Sequence, residues 1–340
     1  MTGSDWRTYE LAYNGITSNN FNEFNFEIGF KYLIYVFNFI GFSFFQFLIL
    51  MKLSFFLVVV SFIRKHFSKI YFPLAIFLST NALFLIVDNP LRFMIALGIV
   101  IYFFDYLIER KFLKFTLVIS ITSLFHTSFL FYFVIYALSF FQISKFPKLT
   151  VLSYVILYFV VTPDFIINLF ADYEELKIIL GTYFFRLDPE AHNPFAIGRI
   201  FYALLFFLTV YKRKLIVSFF SNGELIFTLV ILFYFSSITI GIIPTFHRFS
   251  TMLAPFFYLS LSVFFVSKNL FLSSSRYVIC LYFIVSSFLS LYQTYTYLPY
   301  SNYFLSFIYN DDSYNFRSNY NKQKYFQRTG KWPEYYNEDE

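Results

Sequence analysis

Long apolar runs separated by short polar connections dominate the chain. Runs of about 20 apolar residues can cross a hydrocarbon core of about 30 Å as helices. Candidates fall at 42–62, 70–87, 91–108, 149–167, 197–211, 224–243, 249–266 and 277–298. The run 115–141 differs from these, because Phe125-His126-Thr127-Ser128 interrupts it near its middle. Residues 1–27 are polar and show no cleavable signal peptide. The pattern divides the chain into an outer N-terminal segment, 1–27, a transmembrane helical domain, 28–298, and a polar tail, 299–340. The tail is rich in Tyr, Asn and Lys and reads as a water-facing extension.

Lys and Arg in short loops set orientation, because such loops stay cytoplasmic. Basic clusters fall at Arg64-Lys65-Lys69, Arg110-Lys111-Lys114, Lys145/Lys148, Lys212-Arg213-Lys214 and Lys268/Arg276, with Glu109 as the acid among them. The other connections, 1–27, 88–92, 162–198 and 244–248, are mainly acidic. Both flanks of 115–141 are therefore cytoplasmic, and a single crossing would invert every later loop. The run is predicted to be two short helices, about 115–125 and 128–141, that meet near His126 in the outer half of the membrane and return. Helices this short need shielding by neighbours or a thinned bilayer. The expected fold is all-α, a polytopic membrane protein with about ten crossings and both termini outside.

Composition agrees with that solvent. Of 340 residues, 58% are hydrophobic and only 14% charged, and Phe and Tyr contribute 56 and 30 residues. A water-soluble core cannot hide so much apolar surface. A cytosolic enzyme, a disordered scaffold and a nucleic-acid module are all excluded. The net charge of +6 mainly reports topology. The single Cys, Cys280, lies in an apolar run, so there is neither a disulfide framework nor a Cys-based metal site.

Candidate chemistry lies where ionisable residues break these rules. Arg92, Arg199 and Arg248 each stand at the outer start of an inward-running helix. Both the positive-inside rule and the helix macrodipole disfavour Arg there. One reading is snorkelling to headgroups, or pairing with an acid such as Asp88 or Asp188. The other is an outward-facing anion site. Asn89-Pro90 favours the second at Arg92, with Asn as N-cap, Pro at the first helical position and free N–H groups as a phosphate seat. Arg adds bidentate recognition of phosphate oxygens.

His126 is either a hydrogen-bonded structural residue or, at a backbone break lining a cavity, a group for acid–base work or substrate contact. His247, beside Arg248, is a weaker case of the same kind. Asp5 and Glu27 are either scattered loop charges or bases toward a hydroxyl. Lys52 and Asp105 lie inside apolar runs, where charge is costly, and could pair with each other. The P-loop, H-E-x-x-H and G-x-S-x-G motifs are absent, as is an Asp-x-Asp nucleotide-sugar signature. No metal site and no cofactor is expected.

Several elements, weak singly, keep a shared order and spacing: Gly3-Ser4-Asp5-Trp6-Arg7-Thr8-Tyr9 with Tyr13, Phe26-Glu27-Ile28-Gly29-Phe30 opening a helix, Asn89-Pro90-Leu91-Arg92 with Ala96, Phe125-His126-Thr127-Ser128, and His247-Arg248-Phe249. Over about residues 3–260 the chain resembles the EpsG family, relatives of the Wzy-type polysaccharide polymerases. That family usually carries a membrane helix before the first element. Here Met1 is two residues upstream of Gly3, and restoring that helix would give about eleven crossings with the N-terminus in the cytoplasm.

The resemblance implies a membrane glycosyltransferase of GT-C-like architecture in the bacterial cytoplasmic membrane, with its active site facing the periplasm or outside. It would join oligosaccharide repeat units linked through diphosphate to undecaprenol, making O-antigen, capsule or exopolysaccharide, with a chain-length regulator as a possible partner. Arg92 and Arg248, with Arg199 or Arg186, would hold the diphosphate, and Asp5, Glu27 or His126 would take the acceptor proton. The alternatives are a lipid-linked oligosaccharide flippase and a membrane O-acyltransferase acting on the polysaccharide.

Overall fold

A computed structural model describes residues 6–17, 21, 23–67, 69–80, 82, 85–86, 90–160, 195–240, 246–266, 270–293, 322–324 and 326–327. Among them every regular element is helical. Helix α1 is Trp6–Gly15, α2 Ile28–Phe39, α3 Phe44–His66 and α4 Tyr71–Thr80. Next come α5 Leu91–Tyr102, the single turn α6 Asp105–Ile108, α7 Phe112–Ser123, a 3-10 turn Thr127–Phe131 and α8 Tyr132–Leu138. The remainder is α9 Pro147–Phe159, α10 Ile197–Tyr211, α11 Arg213–Phe219, α12 Gly223–Thr239, α13 Phe246–Val266 and α14 Leu270–Gln293. The expected tail 299–340 lies outside the described residues except for 322–324 and 326–327.

Most helix starts coincide with the apolar runs, and local chemistry explains several boundaries. Ser43 caps α3 in a reciprocal box with Gln46, and Arg64, Lys65 and His66 occupy its last turn, where the dipole favours cations. Pro147 opens α9 at a position that needs no N–H. Helix α3, with 23 residues, is about 35 Å long, and α13, with 21, about 32 Å, so each can span a bilayer alone. They differ in placement. Across its most apolar window α13 is 89% buried and α3 only 33%.

Helix α13 is thus the central post, with α12, α4 and α14 packed around it. Phe257 of α13 stacks on Phe233 of α12 at 4.3 Å and meets Tyr234 edge-on. Tyr154 of α9 stacks on Phe206 of α10 at 3.7 Å. The outside is apolar as well. Leu113, Leu117, Leu152, Leu204, Leu281 and Phe288 are all exposed, as lipid-facing residues would be.

Three elements depart from the sequence expectation. The run 91–108 is broken at Phe103-Phe104, and α6 restarts at Asp105. Asp105 pairs with Lys65 at the end of α3, not with Lys52. A carboxylate is favourable in a first helical turn, which suits Asp105 to the start of α6. Pro90 occupies the N-cap position of α5, one residue before the first-turn position expected for it, and Asn89 lies outside the described residues. Segment 1–27 contains α1, whose Tyr9, Ala12, Tyr13 and Ile16 are buried. Tyr13 donates its hydroxyl to the Phe42 carbonyl at 2.8 Å, and Asn38 donates its amide to the Tyr13 carbonyl.

The run 115–141 is indeed broken at His126. Helix α7 and the 3-10 turn–α8 unit fold back on each other. Phe115 stacks on Tyr136 at 4.9 Å, and the Tyr136 hydroxyl donates to the Arg110 carbonyl at 3.2 Å. A 12-residue helix is only about 18 Å long, so the hairpin is shorter than a bilayer core.

Candidate functional site

The start of α2, the start of α5 and the turn after α7 meet around one carboxylate. Gly29 makes the approach possible. Its N–H donates to the Leu124 carbonyl at 2.8 Å, and a Cβ on Gly29 would lie 2.8 Å from both that oxygen and the Leu124 Cβ. Only a residue without a side chain fits there. The contact joins an unpaired N–H at a helix start to an unpaired carbonyl at a helix end. It also places Glu27, at the cap position of α2, beside the next turn.

Both carboxylate oxygens of Glu27 are engaged. Oε2 forms an ion pair with Arg92, and Oε1 accepts the Thr127 backbone N–H at 3.4 Å. Arg92 is held from other sides too. Its Nε–H donates to the Tyr9 hydroxyl at 3.5 Å, and the guanidinium lies 4.9 Å from the centre of the Phe26 ring. Cation–π attraction and a half-buried carboxylate together fix a charge that would otherwise be expensive in this setting. The Arg92 side chain keeps 27% of its surface exposed.

His126 stands next to this clasp and is only 7% exposed. Its Nδ1 accepts the Ser128 N–H at 3.3 Å, capping the 3-10 turn. Phe93 and Phe129 meet the ring edge-to-face at 5.5 and 6.0 Å. The imidazole lies within electrostatic reach of Arg248, Glu27 and Arg92. Arg248 is delivered by α13, whose first turn packs on the turn after His126: Phe249 lies 4.2 Å from Phe131, and the Tyr132 hydroxyl donates to the Met252 carbonyl. Arg248 itself is exposed. His247 also lies in this first turn, and its carbonyl accepts the Thr251 hydroxyl.

Of the expected site residues, Glu27, Arg92, His126 and Arg248 are brought together at one end of the bundle. Arg199, at the start of α10, faces Tyr154 and Tyr158 of α9 instead. Asp5 and Arg186, with Asp88 and Asp188, lie outside the described residues. Lys65, Arg110 and Lys111 occupy the other end of α5 and α7. Tyr9, Phe26, Gly29 and the Thr127 N–H are neighbours of the candidate site that charge reasoning passed over, although all four sit inside the short elements already noted. Among the described residues no cluster of His, Cys, Asp and Glu could hold a metal ion.

No curated protein and no solved structure matches the chain. Residues 1–305 match the EpsG family, and with so much of its length matched the chain belongs to that family of Wzy-like polysaccharide polymerases, membrane proteins of polysaccharide biosynthesis.

Proposed function

We propose that this protein polymerises lipid-linked oligosaccharide repeat units into O-antigen, capsule or exopolysaccharide. It transfers the glycan from a polyprenyl-diphosphate donor, with undecaprenol as the carrier, on the outer face of the bacterial cytoplasmic membrane. The observation that carries the reading is the convergence of Arg92, Arg248 and His126 at the end of the bundle away from Lys65, Arg110 and Lys111. If the basic end is cytoplasmic, the arginines face outward. The membrane domain is then a GT-C-like arrangement of about ten crossings, the 115–141 hairpin counting as two. Its partner in this reading is a polysaccharide chain-length regulator.

In the reaction, an acceptor hydroxyl oxygen attacks the anomeric carbon of the donor glycan. The bond from that carbon to the diphosphate oxygen breaks, and its electron pair stays with the diphosphate. Arg92 and Arg248 bind the diphosphate and stabilise the charge that grows on it. Arg92 is ready for this because Tyr9, Phe26 and Glu27 already hold its orientation. With both of its oxygens engaged, Glu27 positions Arg92 and is a poor base. Asp5, which immediately precedes α1, takes the hydroxyl proton. Arg199, beside Tyr154 and Tyr158, is assigned to a more distant part of the donor, and Arg186 keeps its sequence-based assignment to the diphosphate.

A deletion strain tests the reading. Loss of a polymerase leaves single repeat units on the cell surface. Repeat units trapped inside the cell would mean a flippase, and full-length chains lacking an ester would mean an O-acyltransferase.

A further inference from the structure

The part His126 plays follows from which of its nitrogens is already in use. Nδ1 accepts a hydrogen bond from the Ser128 N–H. A nitrogen that accepts offers its lone pair and carries no proton, so in the neutral ring the proton sits on Nε2. The ring is not free to turn over. Phe93 and Phe129 flank it edge-to-face, and rotation would uncap the 3-10 turn. Among the described residues nothing hydrogen-bonds to Nε2, and it is not one of the sealed polar atoms. Its charged surroundings are Arg248 and Arg92 on one side of the balance and Glu27, already committed to Arg92, on the other. An N–H donor within electrostatic reach of two guanidiniums is suited to an anionic oxygen.

We propose that His126 is a hydrogen-bond donor, its Nε2–H directed at a phosphate oxygen of the lipid diphosphate beside Arg92 and Arg248, and that it does not accept the sugar hydroxyl's proton. The assignment rests on the polymerase reading of the same site. The imidazole stays neutral through the reaction. It stabilises charge on the diphosphate as the bond to the anomeric carbon breaks, and the hydroxyl proton goes to a carboxylate base.

Glutamine separates the two roles, because its side-chain amide places an N–H near the position of Nε2–H but has no basic lone pair. The full chain in lipid nanodiscs would be given farnesyl diphosphate as a binding probe and undecaprenyl-diphosphate-linked repeat units as substrate. His126→Ala should weaken farnesyl diphosphate binding about 10-fold or more and slow transfer by about 10- to 100-fold. His126→Gln should stay within about threefold of wild type in both. If His126→Gln is as slow as His126→Ala while both bind the probe like wild type, the ring is the proton acceptor and the proposal is wrong. Nitrogen NMR of the wild-type imidazole gives an answer that does not depend on variants folding: the proton belongs on Nε2, and finding it on Nδ1 overturns the assignment. If wild type binds the probe but makes no polymer, the polymerase reading fails separately, and the donor role is still decided by the binding series.

Discussion

The two ends of the α5–α6 segment each carry an ion pair, built to different standards. At one end Arg92 meets Glu27, with 27% and 16% of the side chains exposed. Phe26 lies against the cation, the Tyr9 hydroxyl accepts from it, and the Thr127 N–H donates to the anion. At the other end Lys65 meets Asp105, with 57% and 37% exposed, at the tip of α3. A half-buried pair with its remaining hydrogen bonds satisfied is costly to break, because the surviving partner stays desolvated. An exposed pair contributes about 0–1 kcal/mol. The contrast separates a cation clasped on several sides from one held by a single exposed partner.

Arg92→Ala should produce the largest effect. It strips Glu27 of its partner and removes a guanidinium from the proposed diphosphate. Polymer formation should fall by at least about 100-fold, as for loss of a charge-stabilising donor, with a stability loss of about 2–3 kcal/mol. Thermal unfolding in detergent and in vitro polymerisation read the two separately. Arg248→Ala should be nearly as damaging to polymerisation yet leave unfolding unchanged, since Arg248 is exposed. If both variants make polymer of normal length and yield, the phosphate assignment is wrong. If Arg248→Ala unfolds the protein as Arg92→Ala does, the contrast between a clasped and an open arginine is wrong.

Gly29→Ala comes next. The added methyl meets backbone at 2.8 Å, so α2 must move away from the turn before His126. A forced overpacking of this kind costs about 1–3 kcal/mol. The activity loss should exceed what stability explains, because Glu27 and Arg92 shift with the helix. Normal transfer by a folded Gly29→Ala protein would mean that the α2–turn contact does not set the site.

Which parts of this were readable beforehand follows from the range of the forces involved. The hairpin at His126 was legible because loop charge is a local signal, and two basic flanks permit only a return. The break at Phe103-Phe104 was not, because the apolar pattern runs straight through it, and the Lys65 that meets Asp105 just after the break lies 40 positions away. Lys52 and Lys65 both lie on α3, about 20 Å apart along its axis, and sequence alone could not say which of them Asp105 meets. The arginines were grouped by their conflict with the sign rule. That rule found Arg92 and Arg248 but could not tell them from Arg199, which the packing of α9 against α10 places by Tyr154 and Tyr158. The Glu27–Arg92 pair, 65 positions apart, needed the Gly29 contact to exist first.

The smallest effect belongs to the exposed pair and tests the comparison from its weak side. Lys65→Met removes the cation that meets Asp105 and keeps an unbranched side chain on α3. Asp105 is left 37% exposed, so water can solvate the freed carboxylate. Stability should change by less than about 1 kcal/mol, and the change should shrink further in high salt, which screens exposed charge. Arg64 remains beside the site of substitution and keeps that end of α3 basic, so orientation in the membrane should persist. Polymerisation should be indistinguishable from wild type, because α5 carries Arg92 about 18 Å away along its axis. A loss of activity comparable to that of Arg248→Ala would show that the two ends of α5 are mechanically joined, and that the rim pair helps set the position of Arg92.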